Sequence, residues 1–288
     1  MELAACQTAA TNTLAHTLVS LQDTGAALSG GLDKLVTYHP LVGYGTQVIG
    51  KHDEPVRCVE HNPTNGLIVS GSWDASVRLW DMRAAEGQGR AVGTLPLPGK
   101  VFSMSCTNHK LVVATSGRRI QVYDLRAMRA AVPPLQQRES PLKHQTRCVR
   151  CTPDGRGFAV SSTEGRVALD YFDDGDASMR FAFKCHRRTD AGTELIFPVN
   201  ALAFHPTLGT FVTGGCDGYV NVWDGTAKRR ICVLPKYPTS IAALSFNHNG
   251  TLLAVAASYT WEDGEKDHPL DAVYIRTMNA DEVMPKAG

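Results

Sequence analysis

Three groups of residues in this sequence have the types and spacings that chemistry needs. Histidine comes with aspartate twice, as His52 with Asp74 and as His186 with Asp217. Such a pair can act as general base and orienting carboxylate, but only beside a nucleophile or an activated water. The serine elbow, the lysine-containing phosphate loop and the paired zinc histidines that would supply one are absent. The second group is Cys148 and Cys151, a Cys-x-x-Cys with no second pair at zinc-finger distance, so neither a metal nor another cofactor is implied. The third is a set of cations, Arg147, Arg166, Lys184 and Arg187. Arginine presents a planar fork to carboxylate or phosphate and lysine a point charge, so cations brought onto one face would hold an acidic or phosphorylated segment. Taken singly, such residues are ordinary solvated loop charges.

What positions these residues must be a repeat. A chain of 288 residues exceeds the size at which one hydrophobic core usually splits. Hydrophobic residues at 43% and charged residues at 20% permit packing throughout. The net charge of +1 gives no bulk attraction to nucleic acid or to a membrane surface. No apolar run reaches bilayer length and no leader pattern opens the chain, which places it in the cytosol or nucleus with its eight cysteines reduced.

The repeat shows in two segments of identical spacing. Ser70-Gly71-Ser72-Trp73-Asp74 precedes Val77-Arg78-Leu79-Trp80-Asp81, and Thr213-Gly214-Gly215-Cys216-Asp217 precedes Val220-Asn221-Val222-Trp223-Asp224. These are the marks of WD-repeat blades. In such a blade a strand Trp, a Ser or Thr, a turn Asp and an incoming His form a buried hydrogen-bond chain, tolerated because every member is satisfied. His52, Ser70, Asp74 and Trp80 fit the four roles once, and His186, Thr213, Asp217 and Trp223 fit them again. On this reading the His–Asp pairs hold blades together instead of catalysing.

Weaker copies fill the intervals. Ser29 to Asp33 keeps the turn, His39-Pro40 stands where Trp-Asp would, and His16 is a candidate for the incoming histidine. Leu111 to Asp124 turns at Gly117, and Phe158 to Tyr171 turns at Glu164-Gly165. Leu252 to Arg276 has a turn swollen by the acidic insert Trp261 to Asp267. Hairpin joints are read at Asn62 to Gly66, Thr152 to Gly155 and Asn247 to Gly250. Six units at roughly 40 to 50 residues each predict an all-β, WD-repeat β-propeller with six recognisable blades. The expected organisation is an atypical N-terminal segment with a partial blade remnant over 1–28, the propeller over 29–279 and a short tail over 280–288.

Three loop segments give the resemblance: Gln137 to Cys148 with its Gln-Thr-Arg, Glu164-Gly165-Arg166-Val167-Ala168, and Phe183-Lys184-Cys185-His186-Arg187. They are similar to signature segments of the Bub/Rae branch of WD-repeat proteins. Tyr237-Pro238-Thr239-Ser240-Ile241 and Gly214 to Gly218 resemble the Bub-type checkpoint members more than the Rae-type messenger-RNA export factors. Ala257-Ser258-Tyr259 and its insert resemble plant and green-algal members.

The resemblance implies a non-catalytic adaptor of the spindle-assembly checkpoint. It would grip the GLEBS segment of a checkpoint kinase and of a related protein, dock on phosphorylated Met-Glu-Leu-Thr repeats of a kinetochore scaffold and join the mitotic checkpoint complex. It would work in the nucleus, at kinetochores in mitosis, and in cytoplasm and spindle, with no membrane and no direct nucleic-acid partner. Carried over residue by residue, Arg147 would meet acidic side chains of the GLEBS segment, Arg166 and Lys184 would form a phosphothreonine pocket, and Trp73 would pack on the bound peptide. Phe102 and Tyr123 read as strand core. The resemblance also implies seven blades, with another Ser-Ser-Trp-Asp turn before Asp33. Residues 1–28 contain none, so the ring is expected to be a truncated product short of its first blade, or else an unusual six-blade closure. The alternative function is Rae-type export through a nucleoporin segment.

Overall fold

The computed structural model describes residues 15–21, 25–43, 45–83, 91–107, 109–127 and 132–285. Cys6 and the Ala- and Thr-rich start lie outside these residues, as does the side chain of His16. The chain divides into two compact units, Met1–Glu139 and Ser140–Gly288.

Three blades make up the first unit, each an antiparallel sheet of four consecutive strands. They start at Ala15–Leu21, Val56–Asn62 and Val101–Cys106. The first sheet thus includes a strand ahead of residue 29, pairing with Ala26–Gly31. Three more blades make up the second unit, starting at Thr146–Cys151, Val199–Phe204 and Ile241–Phe246. The fold is an all-β, WD-repeat β-propeller with six blades among the described residues.

The strand patterns follow from packing. Second and third strands lie between neighbouring sheets, so both their faces are covered and burial does not alternate: Leu67–Ser72 and Val220–Asp224 are buried almost throughout. Outer strands have one wet face and alternate, as Phe181–Lys184 does. Each core joins two blades of one unit. Val36 and Ile49 of the first blade meet Ile68 and Trp80 of the second, while Val77 and Leu79, on the other face of the second, meet Met104 and Val113 of the third. In the other unit, Leu169 meets Phe211 and Trp223, and Val212 and Val222 meet Leu253 and Val255.

Glycine closes the hairpins. Gly66, Gly155 and Gly250 end the three joints read from the sequence, all with positive φ, a conformation that only glycine adopts without strain. Two features have no counterpart in the sequence reading. A short hairpin, Arg187–Asp190 with Thr193–Ile196, stands between the fourth and fifth blades. The last blade pairs only three strands among the described residues. Residues 280–283, inside the stretch read as a tail, form a single helical turn with a capping box from Asn279 and Glu282.

Candidate functional site

Each histidine pair lies in a closed chain of hydrogen bonds. The Trp80 indole N–H donates to Ser70 Oγ at 2.8 Å, Ser70 lies 2.7 Å from His52 Nε2, and His52 Nδ1 lies 2.8 Å from Asp74 Oδ2. In the second unit Trp223 donates to Thr213 Oγ1 at 3.0 Å, Thr213 lies 2.8 Å from His186 Nε2, and His186 Nδ1 lies 2.9 Å from Asp217. A neutral imidazole satisfies every member: the hydroxyl donates to Nε2 and Nδ1–H donates to the carboxylate. Burial pushes the His52 pKa down against the pull of Asp74, which agrees with a neutral ring. Burial works to raise the Asp74 carboxyl, but hydrogen bonds from Ser76, His52 and the Asp53 backbone outweigh it and hold the group below its ordinary range. With His52 and His186 buried, these groups offer no access to a substrate.

The sequence reading missed the flanking partners. Ser76 Oγ donates to Asp74 at 2.7 Å, and the Asn221 amide lies 3.2 Å from His186 Nε2. In the first blade Ser29 Oγ lies 2.7 Å from His39 Nε2, so His39 fills the place of the missing Trp, ten residues after the hydroxyl as Trp80 and Trp223 are.

The Cys-x-x-Cys residues stand three apart on one strand and so point to opposite faces. Neither is in a disulfide, nor are the other described cysteines, and among the described residues no group of three metal-binding side chains converges. Burial pushes the Cys185 thiol up to about 12, which makes it a packing residue.

The cations are positioned by two devices. Arg166 and Lys184 are directly opposed in register on adjacent strands, Arg166–Tyr171 and Phe181–Lys184, so their side chains leave the sheet on the same face. Among the described residues neither has an ion-pair partner. Lys184 also lines a cleft with Phe181, Phe183 and Trp223, where Lys228, Arg229 and Arg230 stand with the carboxylate of Asp224.

Arg147 sits instead at a β-bulge, the register slipping between Thr146 and Cys148. The same slip occurs in the other five first strands, at Arg57, Phe102, Asn200, Ala242 and His16. A bulge residue leaves the ladder and its side chain is re-aimed. Phe102 therefore occupies the position that Arg147 has in its own blade and is half-buried, while Tyr123 is core. Arg147 Nε donates to Asn200 Oδ1 at 3.1 Å, and the Asn200 amide reaches Thr260 Oγ1 at 3.3 Å. Arg187 is engaged by its own unit, through the carbonyl of Glu164 at 2.7 Å and the carboxylate of Glu194 at 3.2 Å. Trp73, half-buried in the first unit, has the Lys100 ammonium 5.8 Å from its ring centre.

The comparisons with known proteins agree with this geometry. The family model described as WD domain, G-beta repeat matches residues 44–81 and 184–224, the segments that hold the two hydrogen-bond chains. The chain is 54% identical over 242 residues to "Mitotic checkpoint protein BUB3.1" of Arabidopsis thaliana, covering 83% of this chain and 70% of the relative. It is 42% identical over 251 residues to "Mitotic checkpoint protein bub3" of Dictyostelium discoideum, 86% of this chain and 74% of that one. It is also 38% identical over 271 residues to "mRNA export factor GLE2" of Chaetomium thermophilum, 92% and 74%. The higher identities fall on the checkpoint side, and the chain belongs to the Bub-type mitotic checkpoint proteins of the WD-repeat family.

Proposed function

We propose that this chain is a non-catalytic adaptor of the spindle-assembly checkpoint that binds the GLEBS segment of checkpoint kinases through Arg147 and Trp73, and phosphorylated Met-Glu-Leu-Thr repeats of a kinetochore scaffold through Arg166 and Lys184. The observation that carries it is the register pair. Like charges directly opposite each other on a sheet destabilise it, and Arg166 and Lys184 are so placed with no compensating ion pair among the described residues. A phosphothreonine, with close to two negative charges and three acceptor oxygens, supplies what the pair lacks. Arg147 has a different setting. Its Nε is committed to Asn200, which fixes the plane of the guanidinium, the fork that a carboxylate of the kinase segment would meet. The relative named for messenger-RNA export is less similar, which ranks that role second.

Titration calorimetry tests the reading with four charge reversals. A phosphorylated Met-Glu-Leu-Thr peptide should bind at least tenfold more tightly than the unmodified one, since each charge-assisted hydrogen bond contributes about 1.5–3 kcal/mol. Arg166→Glu or Lys184→Glu should abolish the difference, and Arg147→Glu should weaken the kinase segment more than the phosphopeptide. Arg78→Glu is the control, because Arg78 already pairs with the Lys51 carbonyl and with Asp53. Equal affinity for the two forms of the peptide would overturn the phosphothreonine assignment.

A further inference from the structure

We propose that the acidic loop spanning 259–271 is a docking surface for an arginine- or lysine-bearing peptide segment, one cation stacking on Trp261 while its neighbours pair with Glu265, Asp267 and Asp271. Trp261 is 61% exposed and has φ of +59°, a left-handed conformation that a bulky residue adopts only when its surroundings impose it. Here they do. The Tyr259 hydroxyl accepts from the Asp263 N–H at 2.9 Å and donates to the Gly264 carbonyl at 3.0 Å. The Thr260 hydroxyl donates to Glu262 at 2.8 Å, and Ser240 donates to the other oxygen of the same carboxylate. The loop is thus held with a large aromatic ring facing solvent, so a ligand meets a surface already ordered.

The charge carried by that loop selects the partner. Glu262 is used by Thr260 and Ser240, and Asp263 by Lys266. Glu265, Asp267 and Asp271 are exposed and make no ion pair among the described residues. Leu270, 92% exposed, adds apolar surface on the same loop. The loop already contains one small example of the contact: the Lys266 ammonium lies 4.6 Å from the Tyr259 ring centre. An indole is the best aromatic face for a guanidinium or ammonium, and tryptophan is enriched among residues that dominate binding energies. The chain Arg147–Asn200–Thr260–Glu262 ties the loop to the cation assigned above to the kinase segment. That one partner spans both places rests on that assignment; the docking itself does not.

Fluorescence anisotropy on the full 288-residue chain provides the test, with a labelled peptide of four arginine–glycine repeats as probe and its glutamate–glycine counterpart as control. The arginine peptide should bind and the glutamate peptide should not. Trp261→Ala should weaken binding by roughly tenfold, and Trp261→Phe by less. The triple variant Glu265→Lys, Asp267→Lys, Asp271→Lys keeps the indole and should lose roughly tenfold at low salt, with the gap closing at high salt. Thermal unfolding checks that each variant is folded, and the probe carries no phosphate, which separates this test from the phosphothreonine one. No binding by the parent chain, or undiminished binding by both the Trp261→Ala and the triple variant, overturns the proposal.

Discussion

At the scale of single residues, the hydrogen-bond chains impose a sharp cost on any break. Asp74→Ala leaves the buried His52 N–H without its acceptor, and an unmet buried donor costs about 1–3 kcal/mol. Urea unfolding should show that loss while peptide affinity is unchanged for the molecules that remain folded. A dependence on pH follows from the same ring. Burial lowers the folded-state pKa of His52 below the ordinary 6.5, so below that pH the unfolded chain binds a proton that the folded chain resists. Stability is therefore whole above about pH 6.5 and declines as pH falls. His39, His61 and His205 are pushed the same way by burial and deepen the decline. Asp74→Asn removes the carboxylate that opposes burial at His52, so its melting temperature should fall more steeply than the parent's between pH 7 and 5. These eight residues were legible because each role admits few residue types at fixed spacing. Asn221 was not, since an amide beside the hydrogen-bond chain breaks no pattern that the sequence displays, and at His39 the sequence shows the replacement of Trp but not the bond to Ser29.

Elements explain what the residue spacings leave out. Phe102 reads as strand core from its place in the run Val101 to Cys106, but a bulge inserts one residue and changes which side chain leaves the ladder. The bulge recurs in every blade, and its residues run from arginine to alanine, so no shared residue type reveals it. Packing between blades is equally silent in sequence. Gly50, on the outer strand Gln47–Lys51, lies under the Trp80 indole of the next blade, where an added Cβ would stand 2.0 Å from the ring. The same ring is tied to Ser70, so it cannot retreat without breaking the hydrogen-bond chain. Gly50→Ala should therefore cost about 1–3 kcal/mol by overpacking. Gly175→Ala, which meets nothing within 4 Å, should stay within about 0.5 kcal/mol. Chemical denaturation of the two variants, side by side, makes the comparison.

For the whole molecule, hydrophobic periodicity and turn glycines made the blade count readable, because each blade repeats the same strand-and-turn syntax. The hairpin between the fourth and fifth blades escaped because its strands, mostly polar and exposed, bury too little to leave a pattern. Function at this scale turns on local charge. With a net charge of only +1, the chain has no broad field to draw a phosphorylated scaffold or an RNA, so the proposed recruitment rests on a local place, Arg166 and Lys184, where two cations are forced together. Reversing both converts that place from doubly positive to doubly negative while leaving the two hydrogen-bond chains and the Trp261 loop untouched. In dividing cells that lack their own checkpoint relative, a fluorescent fusion of the parent chain should mark kinetochores before attachment and restore mitotic arrest under spindle poison. The Arg166→Glu, Lys184→Glu double variant should do neither, while still co-precipitating the checkpoint kinase, whose segment is assigned to Arg147. Distribution of polyadenylated RNA should be the same with either protein. Kinetochore signal that survives the double reversal would remove the phosphothreonine pocket from these two residues, and nuclear retention of RNA on loss of the chain would shift the function toward export.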